Sequence, residues 1–319
     1  MKNKTKQPKV SIVICTYNNK ELVKRCLDSV FNQDYKNIEV ICADGGSTDG
    51  TLQLLKNYKV KIINNKKRFP EGKGMGKDQG SRAAKGDFIL FIDQDNKLIS
   101  KNIISNLAFP LIKDKEILGS ACFLFINKED NITNRYLSYV GTDPFASYRS
   151  IEGRISLNKI KLNDEGNYYT YLIKEEDNMC TGGNVFLVRN SFLKLIGGYV
   201  QDVDMINSFI KKGINKLAIP KNTFTHHLTT SSFLDFLKKR WKWGLHYQQK
   251  NKSDRDYSWS PLNTKDYRFY LEVLKNITLI FNIPIALKKL VQTKDTAWIL
   301  HPIASFLVTL EYILIYIFY

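Results

Sequence analysis

The chain has 319 residues, enough to bury the core of one large domain or of one domain with an appendage. Its 43% hydrophobic and 25% charged residues are ordinary for a folded protein and argue against a disordered chain. The formal charge of +17 is high. It favours phosphorylated ligands or anionic lipid, or reflects a Lys-rich background, and no nucleic-acid-binding signature accompanies it, so no nucleic-acid partner is expected.

In chain order, Val10 to Cys15 reads as a first buried strand. The apolar run is too short for a signal-peptide core, so the N-terminal part is expected in the cytosol. Glu21 to Phe31 carries Leu22, Val23, Cys26, Leu27, Val30 and Phe31 at helical spacing. Ile38 to Ala43 is a second strand, and the turn-rich run from Asp44 to Thr51 leads into a short helix around Leu52 to Tyr58. Ser47, Thr48 and Asp49 are its candidate N-caps. Val60 to Ile63 is a third strand. The Gly- and Lys-rich loop Glu71 to Lys77 opens a helix ending near Gly86, and the strand at Phe88 follows. This alternation predicts an α/β fold with a doubly wound, mainly parallel sheet flanked by helices. Loops leaving such strands converge at one edge, where helix N-termini favour phosphate. The Gly-rich loop is not a P-loop, and no dinucleotide fingerprint occurs.

Phe88 to Ile92 is a continuous apolar run that ends in Asp93-Gln94-Asp95. On an extended backbone residues i and i+2 face one side, so Asp93 and Asp95 aim at one point beyond the strand end. Two carboxylates that close repel unless a cation sits between them, and a hard divalent ion with substrate phosphates satisfies that need. The plain alternative is a polar turn after a strand. The five cysteines are odd in number and form no C-x-x-C pair; they read as buried free thiols in a reducing compartment.

Val10-Ser11-Ile12-Val13-Ile14-Cys15-Thr16-Tyr17-Asn18 resembles the opening strand of the family-2 glycosyltransferases of the GT-A fold. Asp44-Gly45-Gly46-Ser47-Thr48-Asp49-Gly50-Thr51 resembles that family's second motif. Ala84-Lys85-Gly86-Asp87 with Asp93-Gln94-Asp95 resembles its third. The resemblance covers roughly residues 8 to 250, taken as the catalytic domain, with 251 to 319 as a C-terminal helical, membrane-associating segment. It implies an inverting transferase that moves a sugar from a nucleotide-sugar to a hydroxyl acceptor. It further implies a divalent metal (Mn2+ or Mg2+) held by Asp93 and Asp95. Thr16, Tyr17, Asn18 and Asp44 would then contact the donor nucleotide. Lys77 and Asp78 stand where the family usually carries Arg-Asn, and are assigned to the donor as well.

Ile117 to Ile126 reads as a strand and Tyr139 to Tyr148 as a loop, with Asp143 in a surface turn. Cys180 to Asn184 is a small-residue loop that leads into a strand, Val185 to Val188, and its glycines let the backbone approach a ligand. By resemblance Gly182, Gly183 and Asn184 lie under the donor sugar and acceptor. Gly197 to Met205 resembles the family's Glu-Asp motif at a helix start, which places the catalytic base on Asp202, with Gln201 where Glu is usual. His226 and His227 follow an expected strand, Lys216 to Pro220; by the same resemblance a histidine at about this place completes the metal or diphosphate site, and His226 fits it slightly better than His227. Phe233 to Gly244 is a basic aromatic helix. Arg240 suits phosphate pairing, while Trp241 and Trp243 suit sugar stacking or a lipid interface; a solvated basic face is the alternative.

Phe269 to Val291 and Trp298 to Tyr319 are two apolar stretches. The second is long enough to span a bilayer, although His301-Pro302 and Glu311 leave an interfacial hairpin or a packed core open. The expectation is a metal-dependent glycosyltransferase on the cytoplasmic face of the cell membrane, acting on a lipid-linked or cell-surface glycan. The rivals are a non-catalytic nucleotide-sugar-binding or scaffold protein of the same fold, for which Gln201 speaks, and a processive polysaccharide synthase. The synthase motif Gln-x-x-Arg-Trp is incomplete here, with Leu237 where Gln would stand.

Overall fold

The structure, a computed structural model, describes residues 7–145, 150–174, 177, 184–250 and 267–318. The chain divides into two compact units, residues 1–123 with 162–226 and residues 124–161 with 227–319.

The first unit opens with β1 (Val10–Thr16), α1 (Lys20–Phe31), β2 (Ile38–Asp44), α2 (Thr51–Leu55), β3 (Val60–Asn64), α3 (Gly76–Ala83), β4 (Phe88–Asp93), β5 (Asn96–Leu98), α4 (Ile103–Lys113), β6 (Ile117–Ala121) and β7 (Phe123–Leu124). The chain passes through α5 (Ile132–Val140) and α6 (Ile151–Ser156) of the second unit. It returns as β8 (Asn163–Asp164), β9 (Tyr168–Leu172), β10 (Phe186–Arg189), α7 (Asn190–Leu195), α8 (Asp202–Lys211), β11 (Lys216–Pro220) and β12 (Phe224–His227). The main sheet has nine strands in the order β3-β2-β1-β4-β10-β6-β11-β9-β8. The β3-β2-β1-β4 half is parallel, as the strand–helix alternation predicts. The other half is mixed, because β10 runs antiparallel to both β4 and β6. Ile12, Ile14, Leu90 and Ile92 are fully buried under Leu27, Val30 and Leu107, which explains their continuous apolar runs.

Local details differ from the sequence reading where short elements meet. The strand expected from Ile117 to Ile126 breaks at Cys122 into β6 and β7. Helix α2 starts at Thr51, with Asp49 accepting from both its backbone N–H and its hydroxyl. Cys26, Cys42 and Cys122 are buried free thiols and Cys15 is half-buried, while Cys180 lies outside the described residues.

The second unit is helical. After α5 and α6 come α9 (Phe233–Lys250), α10 (Tyr267–Ile277), α11 (Asn282–Thr293), a 3-10 turn (Thr296–Leu300) and α12 (His301–Phe318). Its core joins Tyr136, Phe145, Phe236, Phe269, Trp298, Val308 and Tyr312. Asp143, expected in a surface turn, is buried instead. It accepts from Arg240 Nη1 at 3.1 Å, from the Tyr312 hydroxyl and from the Phe145 amide at 3.0 Å. A buried carboxylate with a cation and two further donors is satisfied; the turn residues around it gave no sign of this in sequence. Thr296–Phe318 is long and apolar enough to cross a membrane, by length and composition, and 44% of its most apolar window is buried within the protein.

Candidate active site

The C-terminal ends of β1, β2 and β4 form one edge. Thr16 pairs with Asp44 across β1 and β2, and Cys15 pairs with Asp93 across β1 and β4. Neighbouring strands lie about 4.8 Å apart, so Thr16, Asp44 and Asp93 stand side by side. The Asp44 carboxylate accepts from the amides of Gly46 and Ser47, each at 2.9 Å, and from the hydroxyls of Thr16 at 2.8 Å and Ser47 at 2.6 Å. It thereby fixes the turn after β2. Asn18, in the left-handed region at φ 52, closes that turn from the other side: its amide donates to Ser47 Oγ and its side chain accepts from Thr48 N. Tyr17 is exposed beside them, tied to Gln94 by its amide at 3.0 Å, with the Arg68 guanidinium 5.7 Å from its ring centre. An exposed ring backed by a cation suits a planar base.

Lys77 is the hub of the site. Helix α3 lies directly on β1 because Gly76 and Gly80 face the strand: a Cβ at Gly80 would stand 2.3 Å from Val13 Cγ1, and one at Gly76 2.6 Å from Cys15 Sγ. This approach buries the Lys77 side chain completely. Its ammonium lies 3.1 Å from Glu71 Oε1, 3.1 Å from Asp93 Oδ1 and 3.8 Å from Asp202 Oδ1. Burial alone would lower the Lys77 ammonium; Asp202, Asp93 and Glu71 outweigh it and hold it well above the ordinary lysine value. Asp202 is the first residue of α8 and accepts from the Tyr199 hydroxyl. Burial pushes its carboxyl well above the ordinary range, Glu71 and Asp93 add to this, and Lys77 and the Tyr199 hydrogen bond oppose it. Asp78 points the other way, where it accepts from the Gly74 amide at 2.8 Å and pairs with Arg82 at 3.0 Å, holding the glycine-rich loop.

Asp95 and His226 meet at Arg25. The guanidinium donates to the Asp95 carbonyl oxygen at 3.1 Å and to His226 Nδ1 at 2.6 Å. Because arginine only donates, Nδ1 is the acceptor and Nε2 carries the hydrogen in the neutral ring. Asn96 is buried next to them, with its amide 3.3 Å from Asp95 Oδ1 and 3.5 Å from Asn184 Oδ1, and Thr225 donates to its carbonyl at 3.2 Å. Gly182 and Gly183 lie outside the described residues; Val185, just beyond Asn184, holds φ 35, a costly value for a β-branched residue. Arg240 and Trp241 belong to the second unit, where Arg240 pairs with Asp143 and Trp241 packs on the helical core.

Among the described residues no three His, Cys, Asp or Glu side chains gather in a cluster able to hold a metal by themselves. The charge balance nonetheless fits a cation. Glu71 and Asp93 share one ammonium, Asp202 beside them is pushed towards its protonated form, and Asp95, two residues past Asp93 and next to Arg25, adds a further carboxylate. A hard divalent ion with few protein ligands and several phosphate oxygens matches that surplus.

Sequence reasoning had not singled out Glu71, Tyr199, Arg25 and Arg68. Glu71 and Tyr199 lie inside motifs already marked, the glycine-rich loop and the Gly-Gly-Tyr run, so their position was the available signal. Arg25 sits on an amphipathic helix where a cation reads as solvated, and nothing local distinguishes it.

The mixed sheet, with its parallel half and the carboxylate edge at the strand ends, defines an α/β protein of the GT-A fold. The profile of glycosyl transferase family 2 matches residues 11–189, and the chain belongs to that family. It is 32% identical over 134 residues to the GalNAc(5)-diNAcBac-PP-undecaprenol beta-1,3-glucosyltransferase of Campylobacter jejuni, covering 40% of this chain and 42% of that protein. It is 27% identical over 253 residues to a Methanococcus voltae enzyme named dolichyl N-acetyl-alpha-D-glucosaminyl phosphate 3-beta-D-2,3-diacetamido-2,3-dideoxy-beta-D-glucuronosyltransferase, covering 74% of this chain and 71% of that one. Among solved structures, the Pyrobaculum calidifontis mannosyltransferase in complex with GDP-Man and Mn2+ superposes with a TM-score of 0.58 at 16% identity, over 98% of this chain and 87% of that one, which shows the shared fold. The chain spans 16% to 51% of the length of several curated relatives it matches.

Proposed function

We propose that the protein is an inverting, metal-dependent glycosyltransferase that moves a sugar from a nucleoside-diphosphate sugar to a hydroxyl of a lipid-linked acceptor. The observation that carries this reading is the Lys77-centred cluster, which joins Asp93 of the strand edge to Asp202 of α8. The nucleoside lies along Thr16, Tyr17, Asn18 and Asp44. Asp95, with Asp93, holds the divalent ion, which when bound supplies positive charge to the leaving diphosphate. His226, whose Nδ1 faces the Arg25 guanidinium, is assigned by the resemblance to the metal or diphosphate site. Asp202 takes the proton from the acceptor hydroxyl as it attacks the face of the anomeric carbon opposite the leaving group. Its raised carboxyl pKa is the tuning a general base needs to act near neutral pH. Lys77 and Tyr199 hold Asp202 in place, which preserves in-line geometry.

The acceptor follows from the undecaprenol- and dolichyl-linked chemistry in the relatives' names and from the apolar C-terminal helices, which attach the protein to the cytoplasmic face of the membrane. Thermal shift with UDP or GDP, with and without Mn2+, tests the donor site. At a hundredfold excess over Kd one nucleotide should add about 2.7 kcal/mol, with Mn2+ needed for the full effect. Asp95→Ala should abolish the metal-dependent part alone. Equal shifts without Mn2+ would remove the metal from the reading, and the absence of any nucleotide shift would remove the donor site.

A further inference from the structure

Helices α10 and α11 are inside out. On α10 the buried side chains are Phe269, Glu272 and Asn276, while Tyr270, Leu271, Leu274 and Ile277 are exposed. On α11 the buried ones are Asn282, Ala286 and Lys289, while Ile283, Leu287 and Val291 form an exposed stripe at four-residue spacing. The link between the helices adds Ile280 and Phe281, 69% and 59% exposed. A helix packed against a core in water shows the reverse pattern. A chain of hydrogen bonds links buried polar groups of these helices to the last helix and, among the described residues, leaves only Asn282 Oδ1 of that chain without a partner. Asn282 Nδ2 donates to Asn276 Oδ1 at 2.9 Å, Asn276 Nδ2 to Thr309 Oγ1 at 3.0 Å, and Thr309 Oγ1 to the Ser305 carbonyl at 2.6 Å. A continuous exposed apolar face of this size marks an interaction surface.

The geometry argues against a crossing by this pair. Together the two helices pass the length and hydropathy test for a span, but they are bent by 82° at the break. Each arm reaches only about 17 Å at 1.5 Å per residue, against about 30 Å of hydrocarbon. Helix α12 turns His301, Ala304, Ser305, Val308, Thr309 and Tyr312 inward, a stripe used by the unit's own core. Charge selects the occupant. Between Tyr267 and Lys294 the single acid is Glu272, which is buried and paired with Lys275, and Lys289 is buried as well; the remaining charges are cations, with Lys288 and Lys294 exposed and Arg268 half-buried. Apolar side chains beside cations complement an acidic lipid surface.

We propose that the α10–α11 elbow lies in the plane of an anionic membrane and sinks Leu271, Leu274, Ile277, Phe281, Ile283 and Leu287 into one leaflet, without crossing it. This rests on the membrane-attached reading above and names the surface and the depth. The test is flotation of the full-length chain with vesicles of phosphatidylcholine and phosphatidylglycerol. The wild type should float. The double variant Leu274→Glu/Leu287→Glu should float about tenfold less, with unchanged melting because both positions face outward. Should that variant melt early, Phe281→Ser replaces it, with an expected loss of about fivefold. A cysteine at Lys294→Cys, between the elbow and the last helix, should stay open to a membrane-impermeant maleimide added outside the vesicles. Flotation unaffected by the substitutions, or a protected cysteine at position 294, overturns this inference and leaves membrane attachment standing. A wild type that does not float overturns both. If it instead self-associates and the substitutions abolish that association, a second copy covers the face and the inference is wrong.

Discussion

Asp202 sits in its buried cluster at a cost to the fold. Burial, Glu71 and Asp93 all favour its protonated form, and Lys77 only partly compensates. An acid whose folded pKa is raised binds a proton in the folded state that the unfolded chain has already released. Stability therefore falls as pH rises above the ordinary carboxylate range, until the folded pKa is passed. Asp202→Asn removes that charge, while Glu71 and Asp93 still neutralise Lys77. In chelator, we expect this variant to melt higher than the wild type at pH 8 and equal to it near pH 4. Turnover should drop about a hundredfold or more, with nucleotide affinity kept. Normal transfer by Asp202→Asn would place the base elsewhere. Lys77→Met should do the opposite to stability. Breaking a buried ion pair costs about 3–5 kcal/mol, and here three carboxylates lose their common partner, so a lower denaturation midpoint is expected and added Mn2+ should recover part of it.

At the scale of elements, α3 controls the site through its distance from β1. Gly80→Ala sets two effects against each other. Alanine favours a helix interior by about 1 kcal/mol, but its Cβ would stand 2.3 Å from Val13 Cγ1, and overpacking of this kind costs about 1–3 kcal/mol. Val13 is itself fully buried and cannot move aside, so we expect net destabilisation in urea melts and weaker activity as Lys77 shifts with the helix. A variant as stable and active as the wild type would show that the contact has slack. The same elements show what could be read from sequence. Strands β1, β2 and β4 are continuous apolar runs because both faces are covered, so the parallel half and the Asp93–Asp95 edge were legible. In the other half the strands expected at Val185 to Val188 and Lys216 to Pro220 are β10 and β11, but the antiparallel direction of β10 was not legible, because a four-residue strand carries no signal of how it pairs, and β8, with two residues, gave none at all. Lys77 was visible as a departure from the family's Arg-Asn pair, but its burial depends on contacts with Asp93 and Asp202 that are distant in sequence. Asp143 looked like a turn residue because its partners, Arg240 and Tyr312, lie about a hundred residues or more further on. The tail's composition showed apolar helices, whereas the turning of α10 and α11 needed a core to define which face was inside.

For the whole molecule, the proposed membrane binding would draw on the charge of +17 and on the exposed apolar elbow at different stages. Charge acts at a distance and sets how fast the protein reaches an acidic surface. Its reach is about 10 Å at 0.1 M salt and about 3 Å at 1 M, and each cation near the surface contributes about 1 kcal/mol. Apolar burial acts at contact and is not screened. Adding 1 M salt before vesicles should therefore suppress capture from dilute solution strongly. Adding the same salt after binding should release little protein, because six apolar side chains removed from water contribute about 1.5–3 kcal/mol each when fully buried. Sedimentation with vesicles, with salt added in the two orders, separates these stages. Equal and complete release in both orders would mean that charge alone holds the protein, with Leu274, Phe281 and Leu287 still in water. Equal retention in both would mean that the net charge plays no part in capture, and that the lysine content is a background of the sequence rather than a device for finding the membrane.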